Sequence, residues 1–149
     1  MMLCMASGQQ RDLTTSLISR SPLESYQQLA QAKAGAMFAL AFGGAALLLT
    51  DDTQMIDALT TVGEIYGTLL QCGDDLLDVA QANSTLTLPK ALTMVRPTHM
   101  SDQTKHTPEA FFSYLYCAYH EQVVRVLVGL PDTVRHGILD LFDRTFRPQ

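Results

Sequence analysis

A chain of 149 residues is long enough for one domain with a real core and too short for two. Its net charge of −5 argues against a nucleic-acid footprint, so no nucleic-acid partner is expected. Its three cysteines, Cys4, Cys72 and Cys117, are scattered without a CxxC pair, which fits reduced thiols in a cytoplasmic protein better than a disulfide framework or a zinc site.

In chain order, residues 1–17 read as a helix carrying Gly8-Gln9-Gln10-Arg11-Asp12-Leu13. It begins abruptly on apolar side chains, as if something should precede or cover it, and lacks the basic region of a signal peptide. Ser21-Pro22-Leu23-Glu24 is a helix start, with Ser at the cap, Pro at the first position and Glu closing a capping box. That helix runs through Tyr26 and Lys33 into the apolar stretch 34–49, with a kink expected near Gly43-Gly44. The stretch falls short of the ~20 residues of a membrane span. Its glycines and alanines point to a buried core helix between other helices, so no membrane span is expected.

Thr50-Asp51-Asp52 ends this helix and caps the next, which is expected over Thr53–Ala80 with Val62, Ile65, Tyr66, Leu69, Leu70, Leu76 and Leu77 inward. Asn83-Ser84-Thr85 reads as a loop, Leu88-Pro89 starts a short helix, and 98–107 is a polar segment. Thr107-Pro108-Glu109 opens a helix over about 108–129 with Phe112, Leu115, Tyr116, Tyr119, Val123 and Leu127 inward. Pro131 opens the last helix, to about Thr145, leaving Phe146 to Gln149 as a tail. With no alternating strand pattern, the fold class is an all-α bundle.

The chemistry lies in Gln71-Cys72-Gly73-Asp74-Asp75-Leu76-Leu77-Asp78, on the longest helix. Residues three and four apart are helix neighbours, so Asp74 and Asp75 both lie close to Asp78. Like charges at that spacing cost roughly 0.2–0.5 kcal/mol per pair, which a bound cation relieves. Three hard oxygen donors suit Mg²⁺, which takes one or two carboxylates together with waters and substrate phosphates. A solvated acidic patch is the alternative for the motif taken alone. His99, His106, His120 and His136 have no metal-ligand spacing.

Four features in order resemble the C-terminal half of the trans-prenyl diphosphate synthases, the farnesyl, geranylgeranyl and polyprenyl synthase family. Gly8-Gln9-Gln10-Arg11-Asp12-Leu13 resembles that family's GQxxDL helix. Tyr26, Lys33 and Phe38 resemble its Y…KT…F helix, residues 67–78 its GxxFQxxDDxxD motif, and Thr87-Leu88-Pro89 its TLP helix start. The resemblance implies an isoprenoid-synthase-like helical bundle, C-terminal half only, with residues 1–149 forming a single partial domain. It also implies that Asp74, Asp75 and Asp78 hold Mg²⁺ bridging to a diphosphate, that Lys33 donates to diphosphate oxygens, and that Gln71 lines the cavity near the reacting carbons. The substrates implied are an allylic diphosphate and isopentenyl diphosphate.

The sequence also departs from that pattern. The first aspartate-rich motif and the basic site for isopentenyl diphosphate are not found, KT reads Lys33-Ala34, FQ reads Leu70-Gln71, and 79–86 contains no lysine or arginine. The expectation is one subunit of a split or heteromeric synthase, inactive alone, whose partner chain carries the first motif. The alternative is a non-catalytic regulatory subunit of a complete synthase. A terpene cyclase-like domain would show an N-x-x-x-S-x-x-x-E motif, and none is found.

Overall fold

The computed structural model describes residues 22–80 and 108–146, with side chains over 26–77 and 112–146. The readings for residues 1–17, the Ser21 cap, Asn83-Ser84-Thr85, Thr87-Leu88-Pro89 and residues 98–107 fall outside these limits. Every element among the described residues is helical: α1 (Pro22–Ala30), a π-helical turn (Gln31–Gly35), α2 (Ala36–Leu49), α3 (Thr53–Ala80), α4 (Pro108–Val126) and α5 (Asp132–Phe146). The all-α class holds.

α1, the π turn and α2 run on as one rod, because Ala30, Gly35 and Ala36 all keep right-handed helical backbone angles. The α-helix continues unbroken through Gly43-Gly44; the irregular turn lies at Gln31–Gly35 and contains Lys33. A π turn inserts one residue into the helix and rotates everything beyond it, a device frequent at functional sites. At Gly43 the helix is regular and closely packed, since an added Cβ there would collide with Thr60 Oγ1.

Thr50 ends the rod with extended backbone, φ −155° and ψ 152°. Asp52 then caps α3 through Oδ1, which accepts from the Gln54 N–H at 3.0 Å and the Met55 N–H at 3.4 Å. α3 returns antiparallel along the rod, and the two meet at backbone distance. A Cβ at Gly63 would overlap the Phe38 carbonyl, and one at Gly67 the Ala34 carbonyl. From the other side, a Cβ at Gly35 would stand 2.9 Å from Thr68 Oγ1. Thr68 is buried in this seam and satisfies its hydroxyl on the Glu64 carbonyl at 2.7 Å.

The rest of α3 faces α4 and α5. Ala58, Val62, Ile65, Leu69, Cys72 and Leu76 form its buried stripe at three- and four-residue spacing, with Leu115, Val123, Leu127, Phe142 and Phe146 against it. Leu77, expected inward, is 60 % exposed because it sits about 100° round the helix from Leu76. Phe146, expected in the tail, closes α5 and is buried against Tyr66, Phe112 and Phe142. α4 and α5 are joined through Gly129, whose φ of +89° is reached without strain only by a residue lacking a Cβ.

The stretch 34–49 differs most from expectation. Only Gly35, Ala36, Ala39, Gly43 and Ala46 are buried, all on the side facing α3. Met37, Leu40, Leu47, Leu48 and Leu49 are 45–88 % exposed. By length and composition alone, Tyr26–Leu49 is long and apolar enough to cross a membrane. Among the described residues it is covered on one side and not sandwiched.

Candidate functional site

Where α1, the π turn and α2 run along α3, pairs such as Tyr26–Asp75, Ala34–Gly67 and Phe38–Gly63 fix the register. Each of these pairs sums to 101, so the level of any other residue follows. Asp74 and Asp75 lie opposite residues 26 and 27, Gln71 opposite residue 30, and Thr68 opposite Lys33. The seam therefore brings Asp75, Gln71 and Tyr26 together. Lys33 stands seven residues beyond Tyr26, about 10 Å at 1.5 Å per residue, and six beyond the level of Asp74, about 9 Å. It is half-buried and set in the π turn, where the added residue changes its direction relative to α1.

Asp75 is held by two protein donors. Its Oδ2 accepts from the Tyr26 hydroxyl at 2.7 Å, and its Oδ1 accepts from Gln71 Nε2 at 2.8 Å. A carboxylate has no proton to offer, so Gln71 must present its amide nitrogen here and turn Oε1 away. Asp74, one residue earlier, is exposed. The Asp78 backbone continues α3 one turn beyond Asp74 on nearly the same face, while its side chain lies outside the described set.

Beneath Asp75 the site is buried. Cys72 is 1 % exposed, and its thiol sits against the Tyr26 hydroxyl. Burial pushes the Cys72 thiol up to about 11, against a smaller lowering by the Tyr26 hydrogen bond. Burial also drives the Tyr26 hydroxyl far above the ordinary phenol range, with Cys72 and Asp75 adding to the effect. Tyr119 of α4 reaches the same cluster; burial raises it and Cys72 raises it further, while a hydrogen bond with Gln27 opposes the rise. Phe112, also of α4, closes the floor, lying 3.5 Å from where a Cβ of Gly73 would stand.

Sequence reasoning named Tyr26 only as a landmark of resemblance and missed it as the partner of Asp75. Thr68 and Cys72 were missed as buried lining, and Tyr119, expected inward, was not connected to the site, because their pairing depends on the crossing of separate helices. Among the described residues no three His, Cys, Asp or Glu side chains converge as a metal-binding group.

A protein-family model described as polyprenyl synthetase matches residues 1–92 of this chain. No curated protein and no solved structure matches it.

Proposed function

Because the chain belongs to the polyprenyl synthetase family, with a role related to prenyl diphosphate synthesis, we propose that it is one subunit of a heteromeric prenyl diphosphate synthase. It would act in the cytoplasm and supply the second aspartate-rich motif for condensing an allylic diphosphate with isopentenyl diphosphate. The observation that carries this reading is the organised support behind the motif: Tyr26 and Gln71 both donate to Asp75, on a helix whose register is set by backbone contact. A solvated acidic patch needs no such scaffold.

The motif at 74–78 would hold Mg²⁺. Exposed Asp74 and, one turn on, Asp78 offer hard oxygen donors of the kind Mg²⁺ takes beside waters and substrate phosphates. Mg²⁺ bound there would neutralise charge on the departing diphosphate. Lys33, about 9 Å along the seam by helical rise, would donate to the diphosphate from its other end as a compact charge. Gln71 lies between the two levels and would line the cavity at the reacting carbons.

The partner chain would carry the first aspartate-rich motif. The exposed apolar side of α2, with Met37, Leu40 and Leu48, is a surface on which helices of such a partner could pack. The absence of lysine and arginine from 79–86 favours a second reading, a regulatory subunit that binds a complete synthase without contributing to chemistry.

Affinity purification of the tagged chain from its native source, with mass spectrometry of stoichiometric partners, separates the two readings. A partner with a first motif, giving condensation only when both chains are present, supports the first. In that complex Asp74→Asn is expected to lower kcat by about 100-fold, as loss of a charge-stabilising group does. A complete synthase as partner, with activity indifferent to Asp74→Asn, supports the regulatory subunit and overturns the catalytic one.

A further inference from the structure

Within the acidic motif the three residues do not occupy equivalent positions round α3. Successive helix residues are about 100° apart, so Asp74 and Asp78 differ by only about 40°, while Asp75 is turned about 100° from Asp74 toward the seam. Both of its carboxylate oxygens are already engaged by protein donors, one from α1 and one from its own helix. We infer that Asp75 is a positioning residue: it fixes the Gln71 amide with Nε2 inward and Oε1 outward, and pins Tyr26 over Cys72. Metal-facing work is left to Asp74 and Asp78. This assignment rests on the reading of the motif as a Mg²⁺–diphosphate site and divides its labour.

The physical case is one of competition for lone pairs. A metal drawing on Asp75 would have to displace Tyr26 or Gln71 from hydrogen bonds to a charged acceptor, which are roughly twice as strong as neutral ones. Displacing Tyr26 would strand a buried hydroxyl beside a buried thiol, since both Tyr26 and Cys72 are under 10 % exposed. Releasing Gln71 would free its amide to turn over and offer the wrong end to the cavity. The arrangement works only while Asp75 stays where it is.

The substitution Asp75→Asn separates the two roles. Asn keeps one acceptor for Gln71 Nε2, and its own amide can donate to Tyr26, whose hydroxyl accepts as readily as it donates. A positioning role therefore survives in Asp75→Asn and is lost in Asp75→Ala, whereas a metal-ligand role is lost in both.

Two measurements on the full chain test this, both with Cys4 and Cys117 replaced by serine so that Cys72 is the remaining thiol. The first is calorimetric binding of Mg²⁺ with inorganic diphosphate. Asp75→Asn should stay within about twofold of the parent, and Asp74→Asn should weaken binding by about tenfold or more, as loss at a metal site does. The second is the rate at which a thiol reagent labels Cys72. It should rise about tenfold or more in Asp75→Ala and in Tyr26→Phe, which lose the hydrogen bond at Tyr26 altogether, and stay near the parent rate in Asp75→Asn, which keeps one. Asp75→Asn weakening diphosphate binding as much as Asp74→Asn would overturn the assignment. So would Asp75→Ala labelling no faster than the parent. If the parent binds no Mg²⁺–diphosphate even with its partner chain present, the metal reading fails, and labelling alone then decides whether Asp75 positions its neighbours.

Discussion

The two sides of α3 are packed on opposite principles. Toward α1 and α2, side chains are pared away until backbone meets backbone, at Gly63 on Phe38, Gly67 on Ala34 and Gly35 on Glu64. Toward α5, side chains are enlarged, and Tyr66 stacks edge-on to Phe142 and Phe146 with ring centroids 5.5 and 5.0 Å away. A backbone seam has one register and no way to adjust. An aromatic cluster keeps two elements docked but lets rings shift. Asp75 needs Tyr26 opposite it to within hydrogen-bond distance, and it is the rigid side of α3 that meets that need. The family match covers the rigid side and ends at residue 92, before α4 and α5 begin.

The largest effect should come from emptying the aromatic side. Phe142 is fully buried, and Phe142→Ala is expected to cost about 3–5 kcal/mol, read as a fall in the denaturant midpoint. Because that cluster is adjustable, Phe142→Leu should recover most of the loss. Hydrogen exchange should show α4 and α5 loosened in Phe142→Ala while the α1–α3 seam stays protected.

The seam should be intolerant of addition. Gly67→Ala adds one methyl group where the Ala34 carbonyl already stands, and is expected to cost about 3 kcal/mol. Unlike Phe142→Ala, it should speed labelling of Cys72 even well below the unfolding transition, because separating the helices draws Tyr26 away from Asp75. Equal labelling in the two variants would remove the distinction between the sides.

Alkali probes the buried floor of the seam. Burial lifts Cys72 from its ordinary 9.0 to about 11, so the folded state holds this proton where the unfolded chain releases it. The associated stability is complete below pH 9 and is lost as pH rises from 9 to about 11. Tyr26 and Tyr119 are also raised, so they extend the loss above pH 10 in the same direction. Urea midpoints measured from pH 7 to 11 should be flat and then fall. Cys72→Ala should flatten the portion between 9 and 10.

What was legible in the sequence follows the same division. Spacing located α3 from Thr53 to Ala80 and the cap at Asp52, because periodicity and capping are local. It placed the acids on one helix and pointed to glycines as sites of close approach. It did not show that Gly63 and Gly67 meet Phe38 and Ala34, nor that Tyr26 meets Asp75, since those depend on how two helices cross. The π turn at Gln31–Gly35 was invisible because no side chain there forbids a regular helix. Leu47, Leu48 and Leu49 were expected to be covered by neighbours, but periodicity cannot say which apolar face finds a partner.

The smallest effect expected tests whether the aromatic side is held by shape or by polarity. Tyr66 joins the two sides of the bundle, with Phe38 and Phe42 on one flank of its ring and Phe142 and Phe146 on the other. Its hydroxyl lies 3.3 Å from Thr145 Oγ1 in a solvent-exposed position. Water can replace that bond at almost no cost, so Tyr66→Phe should change stability by no more than about 0.5 kcal/mol. Tyr66→Ala removes the ring from between four others and should approach the cost of Phe142→Ala. If Tyr66→Phe proved nearly as damaging as Tyr66→Ala, the docking of α5 would rest on one hydrogen bond, and the contrast between a rigid seam and an adjustable cluster would not stand.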